Sequence, residues 1–364
     1  MFHSSKVYTS LPLNLKSEHA HFFKKFRAQD IDLLKVKKLK NVFVNQQGLV
    51  LKNGLLVEGC AFNLKGNVDN TFYYPFWRKT IEQYLVCKFG KSLKSIVLND
   101  DRNYLLIHSA WFNYSFWVNS YLLRLITVLK NNDTPNLHLI YLDEWDLIPY
   151  VKESLIYFDV KIERIPKDHH FFVKNLIMPE TRKWTNSFDK NTIREVYNWF
   201  SFLKYNHKPT RKVYLTRKKR NVRCVDNEEQ LIHTIKQYDF EVVEFEMLSF
   251  IEQVKLMMET SHFISIHGAG FSNMLFMQPK TTVMELINIE YAKVEYTFPF
   301  WKLADTLNLN YYYQFGSVPK NIGFKLIKNN NYELNKDYLV NQNIHINIEL
   351  FDENLKLMLS NSNL

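Results

Sequence analysis

Residues 267–273 read His-Gly-Ala-Gly-Phe-Ser-Asn, and no other stretch of this chain brings so many groups with chemical uses so close together. They follow an apolar run at 262–266 and precede a short helical pattern from about Phe271, so the glycines stand where a strand turns into a helix. Glycine permits a tight turn and lets the backbone approach a ligand, and the amides of a helix start favour a phosphate. A lone G-x-G turn is more often a purely structural element. Upstream, Lys208, Arg211, Lys212, Arg217, Lys218, Lys219, Arg220 and Arg223 place eight cations within residues 208–223 and no acid, leaving the rest of a +10 chain at +2. Charge gathered so tightly suits a local anion site better than a surface that coats a polyanion. Arg217 leaves the tip of the strand pattern 212–215, and a guanidinium fork matches diphosphate oxygens. Glu285 lies one strand further on, in Val283-Met284-Glu285-Leu286, where a carboxylate can accept both hydroxyls of a ribose or simply sit on a strand surface. Arginine, glycine-rich helix start and carboxylate on successive strand ends describe a pocket for a nucleoside diphosphate.

Such residues need elements to hold them. In the second half, residues 212–215, 241–245, 262–266, 282–287 and 310–315 have strand patterns. Helical patterns fall at 227–238, at 249–259 behind a Ser249/Glu252 capping box, at about 294–307 and at 348–359. In the first half, 40–62 alternate around Gly48 and Asn53-Gly54 as a small β meander with a tight hairpin. Short strands follow at 95–98, 104–107, 137–142 and 160–165, with helices at 114–129 and 148–158. Strands alternating with helices predict parallel sheets covered on both faces, with ligands outside the carboxyl ends of the strands. The boundary between halves falls within 180–210, where Pro179 and Pro209 interrupt the pattern.

Composition narrows the class. The chain has 364 residues, 46% of them hydrophobic, with 28 Phe and 21 Tyr against only 9 Gly and 10 Pro, which excludes disorder, collagen and coiled coil. That length exceeds what one hydrophobic core usually serves. Cys60, Cys87 and Cys224 lack any C-x-x-C spacing, so neither a disulfide framework nor a cysteine-rich zinc site is expected, and a reducing compartment fits. No apolar run approaches the roughly 20 residues of a membrane span, and the first residues lack a signal-type apolar core, so the expectation is a cytoplasmic protein.

Tyr214-Leu215-Thr216-Arg217 through Arg223, Asp226-Asn227-Glu228, Leu248-Ser249-Phe250 with Glu252-Gln253, and His267 through Asn273 with Phe276, Pro279 and Val283-Met284-Glu285-Leu286 together resemble glycosyltransferase family sixty-one. The resemblance is densest over about 205–290 and collinear over 100–180. It implies an α/β protein of the GT-B fold: two Rossmann-like domains facing a cleft, with the small β meander at the N-terminus. The implied domains are an acceptor-side domain over 1–190 and a nucleotide-sugar domain over 205–364. It also implies inverting transfer of a sugar from a nucleotide diphosphate donor, UDP- or GDP-linked, with no cofactor and no obligatory divalent metal. Arg217, Arg220, Arg223, His267, Gly268, Ala269, Gly270, Asn273 and Glu285 would line the donor site, basic groups and helix amides standing in for a cation. With a Lys-, Asn- and Ile-rich composition, the implied member is a bacterial enzyme of surface polysaccharide synthesis, acting on a glycan or lipid-linked acceptor. Its basic, aromatic N-terminal region is suited to peripheral contact with an anionic inner membrane.

On the acceptor side, Asn113, Tyr114, Trp117 and Arg124 match the family pattern, whereas Phe116 and Ser120 stand where it has a histidine and an acid. Inverting transfer still needs a base for the acceptor hydroxyl. Asp143 and Glu144 after strand 137–142, Asp100 and Asp101 after 95–98, and His108 and His267 are the candidates. Asp143-Glu144-Trp145-Asp146 also resembles a loose metal-binding acid cluster, against which stands the polar loop as the plainer reading. Two competing readings are a relative that binds donor or glycan without turnover, and a nucleic-acid-binding module built on 208–223 with aromatics as stacking platforms.

Overall fold

The computed structural model describes residues 5–31, 34–60, 73–89, 94–109, 112–131, 134–181, 189–204, 208–217, 222–293, 298–318 and 339–361. The chain divides into two units, Asp32–Trp199 on one side and Phe200–Leu364 joined by Met1–Ile31 on the other. The first 31 residues belong with the C-terminal unit.

That N-terminal arm is a two-stranded ribbon, β1 (Ser5–Tyr8) antiparallel to β2 (Ala28–Ile31), with helix α1 (Ala20–Phe26) between them. Phe23 from α1 is fully buried, its ring centroid 4.4 Å from Phe298, 5.1 Å from Trp301 and 4.8 Å from Tyr313. Trp301 Nε1 donates to the Ser10 carbonyl at 2.7 Å, and Asn14 Nδ2 donates to the Tyr313 carbonyl at 2.8 Å. Partners almost 300 residues apart leave no local signal, which is why pattern alone assigns the arm to its sequence neighbours.

The Asp32–Trp199 unit is built on β3 (Val36–Val44), β4 (Val50–Lys52), β5 (Leu55–Leu56), β6 (Ser95–Leu98), β7 (Asn103–Leu105), β8 (Leu137–Leu142), β9 (Lys161–Ile165) and β10 (His170–Pro179). They form one sheet in the order β5-β4-β3-β10-β7-β8-β9, with β6 also paired to β10. The sheet is mixed: β6, β7, β8, β9 and β10 pair in parallel, as the alternation of strand and helix predicts, and the meander strands β3, β4 and β5 join them antiparallel. The meander is therefore the antiparallel edge of this sheet. Its hairpin turns at Asn53 and Gly54, both at positive φ, as a two-residue Asn-Gly loop requires. Helices α2 (Tyr73–Phe89), α3 (Leu122–Lys130), α4 (Pro149–Leu155) and α5 (Lys190–Trp199) complete the unit.

The other unit alternates strand and helix: β11 (Arg211–Leu215), α6 (Glu228–Lys236), β12 (Glu241–Val243), α7 (Phe250–Glu259), β13 (Thr260–Ile266), a 3-10 helix (Ala269–Phe276), β14 (Thr282–Asn288), α8 (Pro299–Thr306), β15 (Asn310–Gly316) and α9 (Ile348–Ser360). Strands β11 to β15 form one parallel sheet in the order β12-β11-β13-β14-β15. Every residue of β13 and β14 is buried, as expected of central strands covered on both faces. The chain moves outward from β11 to β12 and then crosses back to the far side of β11. The carboxyl ends of β11 and β13 are thus the switch point at which open α/β sheets bind ligands. Ser249 and Glu252 form the expected reciprocal capping box at the start of α7.

Candidate functional site

Arg217 follows β11 by two residues and His267 follows β13 by one, so both emerge at that switch point. The end of β11 is pinned from beneath. Tyr214 Oη and Thr216 Oγ1 each donate to Glu228 Oε1 at 2.7 Å, and Glu228 is buried in the first turn of α6. Its burial together with the carboxylate pushes the Tyr214 phenol well above its ordinary range, so it stays a donor. Sequence alone singled out Glu228 only as a motif residue. Its place at the start of a helix behind two strand-end hydroxyls is what turns it into a clamp.

Gly268 lies beneath the Arg217 side chain, and a Cβ at that position would collide with Nη1. The guanidinium therefore rests directly on the loop backbone, where the 3-10 helix begins at Ala269 with first-turn amides that have no intrahelical acceptor. A Cβ on Gly270 would come within 2.8 Å of Leu215 Cδ2, so the second glycine is a packing requirement against the end of β11. Asn273 is wholly buried. Its Nδ2 donates to the Gly270 carbonyl at 3.1 Å and faces Gln253 Oε1 at 3.4 Å, while Gln253 Nε2 donates to the carbonyls of Phe245 and Leu248, each at 3.0 Å. Asn273 thus shapes the loop from within the protein.

Cys224 Sγ sits 3.4 Å from the Arg217 carbonyl, which places Arg223, at φ 56°, beside the same strand end. Burial pushes the Cys224 thiol up, against the pull of Arg217. Arg220 lies outside the described residues.

Glu285 is completely buried, with Oε1 2.6 Å from His267 Nδ1 and Oε2 accepting from Tyr311 Oη at 2.5 Å. A carboxylate so enclosed meets the histidine ring and the tyrosine hydroxyl in the interior. The signal was available: in the wholly buried strand β14 a carboxylate must have partners. The His267 ring also borders Phe300 at 5.1 Å and Tyr291 at 5.8 Å between centroids.

A family model described as Glycosyltransferase 61 matches residues 114–284. Over those residues the chain is similar to that family. The match runs from the helix that opens at Tyr114 into the first residues of β14, taking in Arg217, Gly268 and Asn273 and stopping one residue before Glu285. No curated protein matches the chain.

In the other unit, the acceptor-side candidates have structural work. Asn113 caps the helical stretch 114–130, its side chain accepting from Phe116 N at 3.0 Å. Trp117 is fully buried, with Nε1 donating to Ser154 Oγ at 2.9 Å, and Tyr114 packs edge-on to Tyr150 at 5.1 Å. Asp143 and Glu144 lie just past β8. Asp143 pairs with Arg164 at 3.4 Å and Glu144 Oε2 faces Gln46 Nε2 at 3.4 Å. Asp146 is held by Arg164 at 2.6 Å and Tyr141 Oη at 2.8 Å, so this tetrad is spent on internal pairs and its oxygens do not converge as a hard cation needs. Asp100 is bonded by Arg102, which pulls its carboxyl down to about 2, and Asp101 pairs with Lys174 at 2.9 Å. His108 is buried with Nε2 3.1 Å from the Gln46 carbonyl, and burial drops its imidazole to about 3. Among the described residues no helix is long and apolar enough to cross a membrane.

Proposed function

We propose that this chain is an inverting glycosyltransferase whose C-terminal unit holds a nucleoside diphosphate sugar and passes the sugar to a hydroxyl of a glycan or lipid-linked acceptor. One observation carries the reading: the Arg217 guanidinium lies against Gly268 at the switch point of a parallel sheet, beside the first amides of the helix at Ala269. A guanidinium and backbone N–H groups at one strand end match the oxygens of a diphosphate. As the bond from the anomeric carbon to the β-phosphate breaks, its electron pair goes to the phosphate oxygen, and these fixed positive groups stabilise the charge that develops there. The match over residues 114–284 supports the same class of reaction. Two α/β units are also what a GT-B enzyme calls for.

Calorimetry and thermal shift against UDP, GDP, dTDP, CMP and their sugars test the proposal. At least one nucleoside diphosphate binds, and Arg217→Ala weakens it by about 1.5–3 kcal/mol, the scale of a charge-assisted contact. Activity that survives a chelator is expected, because the cationic groups named are the protein's own. Unchanged affinity in Arg217→Ala, or tight salt-dependent binding to oligonucleotides with no response to any nucleotide sugar, points instead to a nucleic-acid-binding module.

A further inference from the structure

The His267 side chain stands at the end of β13. Its Nδ1 faces Glu285 Oε1 at 2.6 Å, and Glu285 Oε2 in turn accepts the Tyr311 hydroxyl at 2.5 Å. Burial and the adjacent carboxylate raise the Tyr311 phenol far above its ordinary range, so it remains a donor and Glu285 the acceptor of both bonds. An ionised carboxylate can only accept, so Nδ1 carries a hydrogen. In the neutral ring, Nε2 is then the atom with the lone pair, and the ring geometry turns it away from Glu285. This is the arrangement of a base held in one tautomer by a buried acid. The other candidates lack it: the His108 imidazole is driven to about 3 by burial and Asp143 is tied to Arg164.

We propose that His267 is the base of the transfer reaction and that Glu285 and Tyr311 are its positioning residues. The inference rests on reading the loop after β13 as the seat of the donor diphosphate. The acceptor hydroxyl gives its proton to His267 Nε2 while its oxygen bonds to the anomeric carbon. The carbon–oxygen bond to the β-phosphate breaks, and its electron pair leaves with the diphosphate. The proton later passes from His267 to solvent. Glu285 and Tyr311 touch neither substrate; they fix which nitrogen accepts. Both lie beyond the stretch that the family model matches.

Full-length wild type, His267→Gln, His267→Gly, Glu285→Gln and Tyr311→Phe, each checked by thermal melting, would be compared for binding of free UDP, GDP and dTDP and for turnover of the corresponding sugars, water serving as acceptor where no other works. His267→Gln is expected to lower kcat by about 100-fold or more with nucleoside diphosphate affinity within about twofold, and imidazole in the buffer to restore part of the rate to His267→Gly. Glu285→Gln should lower kcat about tenfold at unchanged KM, and Tyr311→Phe should lower it less. Nitrogen NMR of His267 should show hydrogen on Nδ1 in the wild type and a loss of that preference in Glu285→Gln, whatever the substrate. A wild type that binds no nucleoside diphosphate overturns the donor site and the base together. Intact binding with full-rate His267→Gln, or hydrogen on Nε2 in the wild type, overturns the base alone. If Glu285→Gln does not fold, Tyr311→Phe and the imidazole rescue decide the matter.

Discussion

At the scale of single residues, the two kinds of demand on a side chain separate cleanly at Gly268 and Lys302. A Cβ at Gly268 meets the far end of a flexible arginine and not backbone, so the fold can accommodate it by moving Arg217. Gly268→Ala should therefore melt within about 2 °C of wild type yet bind nucleoside diphosphate about tenfold more weakly, since a displaced guanidinium loses its bond to phosphate. Unchanged binding, or a large drop in melting temperature, would show that the glycine serves the fold instead. Lys302 shows the opposite case. It is 5% exposed, forms no ion pair among the described residues, and burial pulls its ammonium down to about 8, below the usual lysine value near 10.4. The unfolded chain then binds more protons than the folded one between those two values, so this group makes the protein more stable as pH rises through that window and less stable below it. Lys302→Met should be more stable than wild type at pH 7, by on the order of 1–3 kcal/mol, with the gap closing toward pH 10. Denaturant unfolding across that range measures it, and a gap that does not vary with pH would rule out the buried charge as its source.

Elements show where sequence reading succeeds and where it stops. The C-terminal strands and the capping box at Ser249 were legible because each strand is a short apolar run framed by helix signals, and a parallel βα repeat obeys local rules. The central strand β10 was not: Lys174 and Asn175 interrupt its apolar run, and its partner β3 reads Val-Lys-Lys-Leu-Lys with much of its length exposed. Only their pairing, from Phe171 with Val44 to Pro179 with Val36, makes them the seam of the sheet. The site was half legible for the same reason. Arg217 and the Gly268 loop follow from strand ends, whereas the link from His267 through Glu285 to Tyr311 depends on three side chains from neighbouring strands meeting in the interior. Arg124 makes a comparable tie in the first unit. From α3 it donates Nε to the Pro179 carbonyl at 2.9 Å, with Nη2 on the same oxygen, and Nη1 to the carbonyls of Ile107 at 2.5 Å and His108 at 3.3 Å. It thus fastens a helix to the ends of β7 and β10. Burial lowers the Arg124 guanidinium to about 10, which is a cost, but three carbonyls left without donors cost about 1–3 kcal/mol each. Arg124→Met should destabilise that unit by about 2–4 kcal/mol in denaturant unfolding, and Arg124→Lys should recover little, because one ammonium cannot reproduce the planar fork. Wild-type stability in Arg124→Lys would refute the geometric argument.

At the scale of the whole molecule, the C-terminal unit is completed by residues from the other end of the chain. Phe23 fills the space between Phe298, Trp301 and Tyr313, and the buried Asn14 side chain bonds both the Tyr313 carbonyl and Asn354 Oδ1 at 3.0 Å. Trp301 and Tyr313 belong to α8 and β15, and β15 pairs with β14 and carries Tyr311, the partner of Glu285. The arm therefore supports the elements behind the loop at His267, and synthesis of the unit ends long after the arm that it needs has been made. Truncating a fully buried phenylalanine typically costs about 3–5 kcal/mol through lost burial and the cavity left behind. Phe23→Ala should lower the stability of the Phe200–Leu364 unit by that amount and weaken nucleoside diphosphate binding with it, although Phe23 is about 240 residues from the loop in sequence. Asp32–Trp199, with its own sheet and core, should keep its stability. Hydrogen exchange on the full-length variant distinguishes the two: protection should fall in β13, β14 and β15 and hold in β7, β8 and β10. Equal loss in both sets of strands would mean that the arm stabilises the molecule generally and not the unit it packs on.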